Sequence, residues 1–164
     1  MIKENISLKE LSYYKIGGKA RYYLEVTNKE ELLLGLREWR LKNISKPIFI
    51  LSGLTNLLID DTGYDGLIIR NKINFINDQF PKVTFGAGLS FGEAVNYTVL
   101  KSYSGFEWAG GLPGSVGGAI RGNAGSFGGE KKDNLVEVES LYLNTLETIT
   151  RTKDESDFDY RSSI

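Results

Sequence analysis

The sequence predicts an α+β protein in two lobes, residues 1–79 and residues 80–164, meeting near Phe80. Three observations carry this. A strand–helix–strand–strand pattern fills the first half, a strand and a helix open the second, and a strand pair closes it. With 164 residues and 41% hydrophobic content, the chain can build one ordinary domain, or two small lobes sharing a core.

Each element has its own signal. "ARYYLEV" (residues 20–26) is aromatic and rich in β-formers, so it reads as a strand. Thr27 to Glu30 has the spacing of a capping box, and Leu32, Leu33, Leu36 and Trp39 then recur at helical spacing. Lys46-Pro47 lies beyond that helix, and "IFIL" (48–51) reads as a short buried strand. "GLIIR" from Gly66 and "INFIN" from Ile73 follow as strands. The second half opens with "VTFGAG" (83–88). Ser90 and Glu93 then propose a second capping box, for a helix carrying Ala94, Val95, Tyr97, Val99 and Leu100. Finally "LVEVESLYL" and "ETITRT" pair across Asn144-Thr145.

Composition excludes several classes. Twenty Lys and Arg stand against 21 Asp and Glu without a long run of one sign, which argues against nucleic acid and anionic membranes as partners. No apolar run nears the roughly 20 residues of a membrane span, and the N-terminus lacks a signal-peptide core, so the expectation is a cytoplasmic protein. Without cysteine there are no disulfides, thiolate chemistry or cysteine-ligated metals, and no metal site is expected. Without histidine the commonest acid–base group is missing too, so a bound cofactor is a natural source of chemistry.

The stretch "GGLPGSVGGAIRGNAGSFGGE" (110–130) holds nine of the nineteen glycines. A flexible linker is disfavoured, because Leu112, Val116, Ala119, Ile120, Ala124 and Phe127 are interleaved with them. Two readings stay open on local spacing: tight turns between strands, or backbone brought close to an anionic ligand. The common nucleotide motifs both fail. "GAGLSFG" places its third glycine at Gly92, one residue late for a dinucleotide fingerprint, and no stretch matches a P-loop. What remains is a pair of loops suited to presenting backbone N–H groups, "SGLTNLL" (52–58) and "GGLPGSVGGA" (110–119), where Pro113 stiffens a turn. Two such loops suit a diphosphate, which needs donors on more than one side.

Taken in order, "YYKIGGKARYYLEV", "SGLTNLLIDDTGYDGLII", "GAG", "GFEWAGGLPGSVGGAIRGNAGSFGGE" and "FDYRSS" resemble the bacterial UDP-N-acetylenolpyruvoylglucosamine reductase (UDP-N-acetylmuramate dehydrogenase) family. The resemblance implies a two-lobed FAD-binding domain of the vanillyl-alcohol-oxidase (PCMH) type, which in that family precedes a C-terminal substrate domain. It implies non-covalent FAD, NADPH as hydride donor and a UDP-sugar substrate reduced for peptidoglycan synthesis. By the same resemblance Ser52, Gly53, Leu54, Thr55 and Asn56 map to cofactor contacts at the pyrophosphate. Gly110, Pro113, Gly114, Ser115, Gly117, Gly118 and Ala119 lie along the cofactor, and Asn123 and Gly125 near its flavin end. Tyr160 and Arg161 match the family's active-site pair, the arginine stabilising an enolate-like charge.

Against the family pattern, Leu54 replaces a glycine and Gly122 a common methionine. The family's proton-donating serine and late glutamate have no counterpart before Ile164. The expectation is that the chain alone holds FAD weakly and turns over no substrate, a substrate domain being supplied in cis or as a separate chain. The alternative is a non-catalytic flavin-binding module, or half of a split flavoprotein.

Overall fold

A computed structural model describes residues 1–42, 45–55 and 57–164. Strands β1 (Lys3–Ser7), β2 (Lys19–Val26), β3 (Ile48–Leu51) and β4 (Tyr64–Asn71) form one sheet in the order β1-β2-β4-β3. β1 runs antiparallel to β2, while β2 and β3 both run parallel to β4. Central β4 is buried on both faces and is accordingly an unbroken apolar run, Leu67-Ile68-Ile69. Leu67 and Ile69 join Leu24, Val26, Leu36 and Trp39 under helix α1 (Lys29–Leu41). Ile68 faces the opposite way, into a core with Leu8, Ala20, Tyr23, Leu51 and Leu54.

Several sequence expectations shift here. The cap of α1 is Asn28, one residue later than expected. Its side chain accepts from Glu31 N at 2.8 Å, while the Glu31 carboxylate accepts from Thr27 N at 2.7 Å. β3 is not a buried strand, because it is the sheet's edge and leaves Phe49 and Ile50 39% and 50% exposed. β1 had no signal, since an exposed edge strand needs little apolar content.

Residues beyond β4 build a further core. β5 (Ile76–Gln79) and β6 (Lys82–Phe85) form a hairpin across the cis Phe80–Pro81 peptide. The expected strand from Ile73 therefore begins three residues late. Residues 72–75 turn the chain out of the first sheet, with Ile73 N donating to Asn71 Oδ1 and Ile73 O accepting from Gly88 N. A Cβ on Gly86 would come within 2.3 Å of Ile73 O, so the "GAG" glycines answer to this close crossing. Helices α2 (Phe91–Leu100) and α3 (Val116–Arg121) pack through Leu89, Phe91, Ala94, Ala109, Val116 and Ala119. Ser90 makes no capping bond, so the second capping box does not form; Ser90 pairs instead with Ser115 as an isolated bridge. Val99 and Leu100 are exposed rather than buried.

α3 lies inside the stretch read as loop. Ser115 caps it, accepting from Gly118 N, and the burial of Val116 and Ala119 offsets the poor helix propensity of Gly117 and Gly118. Short strands β7 (Gly125–Ser126) and β8 (Gly129–Glu130) follow. The closing pair forms as expected, β9 (Glu137–Tyr142) antiparallel to β10 (Glu147–Thr152). It packs back on the core under α1 through Leu141, Leu143 and Leu146, and Arg40 donates to the carbonyls of Leu143 and Asn144. Among the described residues no helix is long and apolar enough to cross a membrane.

Candidate functional site

The first loop leaves β3 at the carboxyl end of the parallel strands, the end at which open α/β sheets place ligands. Ser52 Oγ donates to Asn71 O at 3.0 Å, tying the loop to β4. Leu54 adopts φ 52°, the left-handed conformation that suits the family's glycine. A leucine there costs about 1 kcal/mol in backbone strain, and its burial to 5% exposure in the first core returns roughly 2 kcal/mol. Asn56, an expected cofactor contact, lies outside the described residues.

The second loop follows α2, runs into α3 and meets the first. A Cβ on Gly114 would stand 3.6 Å from Thr55 Oγ1, and one on Gly53 would stand 3.9 Å from Gly114 Cα. The two loops named from sequence are thus neighbours in space. Gly111 and Gly114 need glycine for their backbone, at φ 77° and 109°. Gly110 does not: its φ of −56° and ψ of 126° suit any residue, and a Cβ there would meet nothing within 4 Å. Gly53, Gly110, Gly111, Pro113 and Gly118 line the exposed side, whereas Ser115 and Ala119 are buried.

Not all the backbone donors are available. Val116 N and Gly117 N donate to Leu89 O and Ala87 O, both at 2.9 Å, and Gly118 N to Ser115 Oγ at 3.3 Å. The start of α3 is therefore committed within the protein. Among the described residues, the N–H groups of Gly53, Leu54, Thr55, Gly111, Gly114 and Ser115 face no protein acceptor. These are the donors two loops can offer an anion.

Other glycines answer to the fold. A Cβ on Gly117 would lie 3.0 Å from both Ala87 Cβ and Ala87 O, and one on Gly125 would lie 2.8 Å from Gly129 O across the β7–β8 pair. Asn123 is 4% exposed and bonded wholly within the protein. Tyr160 and Arg161 sit at the tip of a tight turn closed by reciprocal bonds between Asp159 and Ser162. Both side chains are exposed, with the guanidinium 5.8 Å from the centre of the Tyr160 ring. The residues after the turn are tied down. Ser163 Oγ donates to Arg121 O at 3.1 Å, and Ile164 N to Ser156 O at 3.1 Å.

Two groups had no signal in the sequence. Arg70 and Lys72, at the end of β4, flank Glu25 at 3.5 and 3.1 Å, and Arg70 pairs in register with Leu51, where the first loop begins. They bring positive charge beside loops that carry none. Lys131 belongs to the charged run "EKKD", and it is 5% exposed with its ammonium 4.3 Å from the Phe106 ring centre and 5.7 Å from that of Phe91. Burial pushes its pKa down to about 8.

Comparison with known proteins follows the same lines. A family model described as FAD binding domain matches residues 20–145. The UDP-N-acetylenolpyruvoylglucosamine reductase of Protochlamydia amoebophila is 40% identical over 136 residues, 82% of this chain and 45% of the relative. The crystal structure of the Thermus caldophilus UDP-N-acetylenolpyruvylglucosamine reductase superposes with a TM-score of 0.76 at 28% identity, over 99% of this chain and 57% of that one. The 6-hydroxy-D-nicotine oxidase of Arthrobacter nicotinovorans shares the fold alone, with a TM-score of 0.68 at 15% identity over 94% of this chain and 36% of the other. The chain spans about half the length of the curated relatives it matches.

Proposed function

The chain belongs to the FAD binding domain family, as an FAD-binding portion of the UDP-N-acetylenolpyruvoylglucosamine reductase kind, and from that premise we propose that its two converging loops hold the diphosphate of FAD. The carrying observation is the meeting of Gly53 and Thr55 with Gly114, lined by N–H groups that no described protein atom accepts. Gly110 supports it independently: nothing in its backbone or its protein neighbours requires a glycine. The absent side chain leaves space along the cofactor. Arg70 and Lys72 supply the nearby positive charge, partly balanced by Glu25. With neither histidine nor cysteine in the chain, the usual protein tethers to flavin are missing, and binding is non-covalent.

In this reading the chain contributes the cofactor-holding part of the NADPH-dependent reduction of UDP-N-acetylenolpyruvoylglucosamine, a step of peptidoglycan synthesis in the cytoplasm. FAD, when bound, supplies the two-electron carrier between NADPH and the enol ether. Arg161 offers a permanent positive charge for the carboxylate side of the enolpyruvyl group, and Tyr160 flanks it. Proton delivery is assigned to no residue of the 164, so turnover requires a substrate domain, in cis or as a separate chain. The proposed division is into lobes 1–79 and 80–164, with β9–β10 of the second lying against the core under α1.

The test is flavin binding. Purified protein mixed with FAD should retain flavin absorbance through gel filtration, gain thermal stability, and release all flavin to the supernatant on acid precipitation. A chain that stays colourless and unstabilised in excess FAD overturns the reading.

A further inference from the structure

The resemblance matches Asn123 to the cofactor's flavin end, but both of its side-chain donors are taken up within the protein. An asparagine amide carries two N–H donors and one carbonyl acceptor. Here Nδ2 donates to Glu130 Oε2 at 2.9 Å and to Asp159 O at 3.3 Å, and Oδ1 accepts from Lys132 N at 3.2 Å. Two acceptors on one side and one donor on the other fix the orientation of the amide. Its backbone is left-handed, φ 38°, a conformation that asparagine tolerates better than most residues. The residue stands just after α3 and reaches 36 positions ahead to the turn that carries Tyr160 and Arg161.

We propose that Asn123 is a positioning residue: with Ser163 it clamps the Tyr160–Arg161 turn to the C-terminal end of α3, so that the arginine is carried in fixed relation to the glycine loop. The two anchors bracket the turn. Asn123 holds the Asp159 carbonyl on its entry side, and Ser163 Oγ holds Arg121 O on its exit side, at 3.1 Å. Between them the reciprocal Asp159–Ser162 bonds, at 3.1 and 3.2 Å, leave the backbone no slack. Glu130 completes the clamp from below. Its carboxylate accepts from Asn123 and pairs with Lys132 at 2.8 Å, and these contacts hold it below the usual carboxylate range. The arrangement ties the turn that carries Arg161 to the C-terminal end of the short helix that Ser115 caps at its other end. The inference rests on Arg161 as the charge-stabilising group for its purpose, but not for its geometry.

The test uses the 164-residue chain with Asn123→Gly, which keeps the left-handed backbone and removes the amide. It adds Asn123→Asp, which turns the donor side into an acceptor facing Glu130 and the Asp159 carbonyl. Amide hydrogen exchange at Asp159 and Ser162 should speed at least tenfold in both variants, while the Gly88 amide, bonded to Ile73 O, changes by less than threefold. The side-chain proton shifts of Arg161, set by the Tyr160 ring, should move toward unstructured values. A general structural role would speed Gly88 equally, and that result overturns the proposal, as does unchanged exchange at Ser162. FAD titration by flavin fluorescence on the same samples separates the two readings. A tenfold loss of FAD affinity with the turn intact makes Asn123 a cofactor contact and sinks the clamp. Failure of the unaltered chain to bind FAD sinks the cofactor reading and leaves the clamp to be judged by exchange.

Discussion

Lys131→Met should make the protein more stable at neutral pH. The Lys131 ammonium is 5% exposed inside the second core and its pKa is pushed down to about 8 by burial, against an ordinary value of 10.5. That gap corresponds to about 3 kcal/mol against holding the charge in the folded state. The Phe106 ring at 4.3 Å returns about 1–2 kcal/mol of it through cation–π attraction. Methionine matches the lysine stem in length and makes favourable contact with aromatic rings, so removing the charge should stabilise by about 1–3 kcal/mol. For a domain of this size that is a rise in Tm of roughly 3–10 °C. The sign of the pH dependence follows from the depressed pKa. Below pH 8 both states hold the proton and the folded state bears the full penalty. Between pH 8 and 10.5 the unfolded chain holds the proton while the folded chain releases it, so the stability of the unsubstituted protein rises with pH. The advantage of Lys131→Met should therefore shrink from pH 7 to pH 9.5. Urea unfolding followed by Trp39 and Trp108 fluorescence at the two pH values measures it. A variant less stable than the parent at pH 7, with a gap that ignores pH, would refute the reasoning and make the ammonium–aromatic contact a net stabiliser.

The other expectations are shorter. Gly110→Val should fold with unchanged Tm and lose FAD binding by at least tenfold, because its Cβ meets open space in the protein and cofactor space in the proposal. Gly117→Val should instead lose roughly 1–3 kcal/mol by thermal melting, because its Cβ meets Ala87 at 3.0 Å; equal behaviour of the two variants contradicts the distinction. Leu54→Gly removes backbone strain but empties a buried site, so chemical denaturation should show a net loss of about 2 kcal/mol; a gain would mean that strain dominates. Asn28→Ala should cost about 1 kcal/mol, since it removes the cap on Glu31 N, and an unchanged melting curve would show the end of α1 to be held otherwise.

The legible parts of the sequence were those whose signal is local. α1 was readable because Leu36 and Trp39 repeat at helical spacing on the face that meets β2 and β4. β9 and β10 were readable because two β-rich runs flank a two-residue turn. β1 was hidden because its stability comes from pairing with β2 rather than from its own residues. α3 was hidden because two glycines mask a helix that Ser115 and tertiary packing impose. Both loops of the proposed site were legible as candidates, since glycine density and position after a strand are sequence properties. Which glycine answers to what was not legible. Gly110 and Gly117 look alike until their neighbours are known, open space for one and Ala87 for the other. Lys131 gave no signal for the same reason, because charge in sequence carries no record of burial.

Leu54 shows how the site is held. Its φ of 52° keeps the turn a glycine would make, so the loop's shape does not come from the freedom of its own backbone. It comes from the side chain, locked among Leu8, Leu51 and Ile68 beneath the first sheet. The second loop is fixed by a different core, through Phe91 N on Gly114 O and Val116 N on Leu89 O. Each wall of the proposed site is thus the surface of its own hydrophobic cluster, and among the described residues no hydrogen bond joins residues 52–55 to residues 110–119. A diphosphate accepting from N–H groups of both loops would add polar bonds where the protein has few of its own. Substitutions deep in either core would then weaken the grip on the ligand without touching a residue of the site.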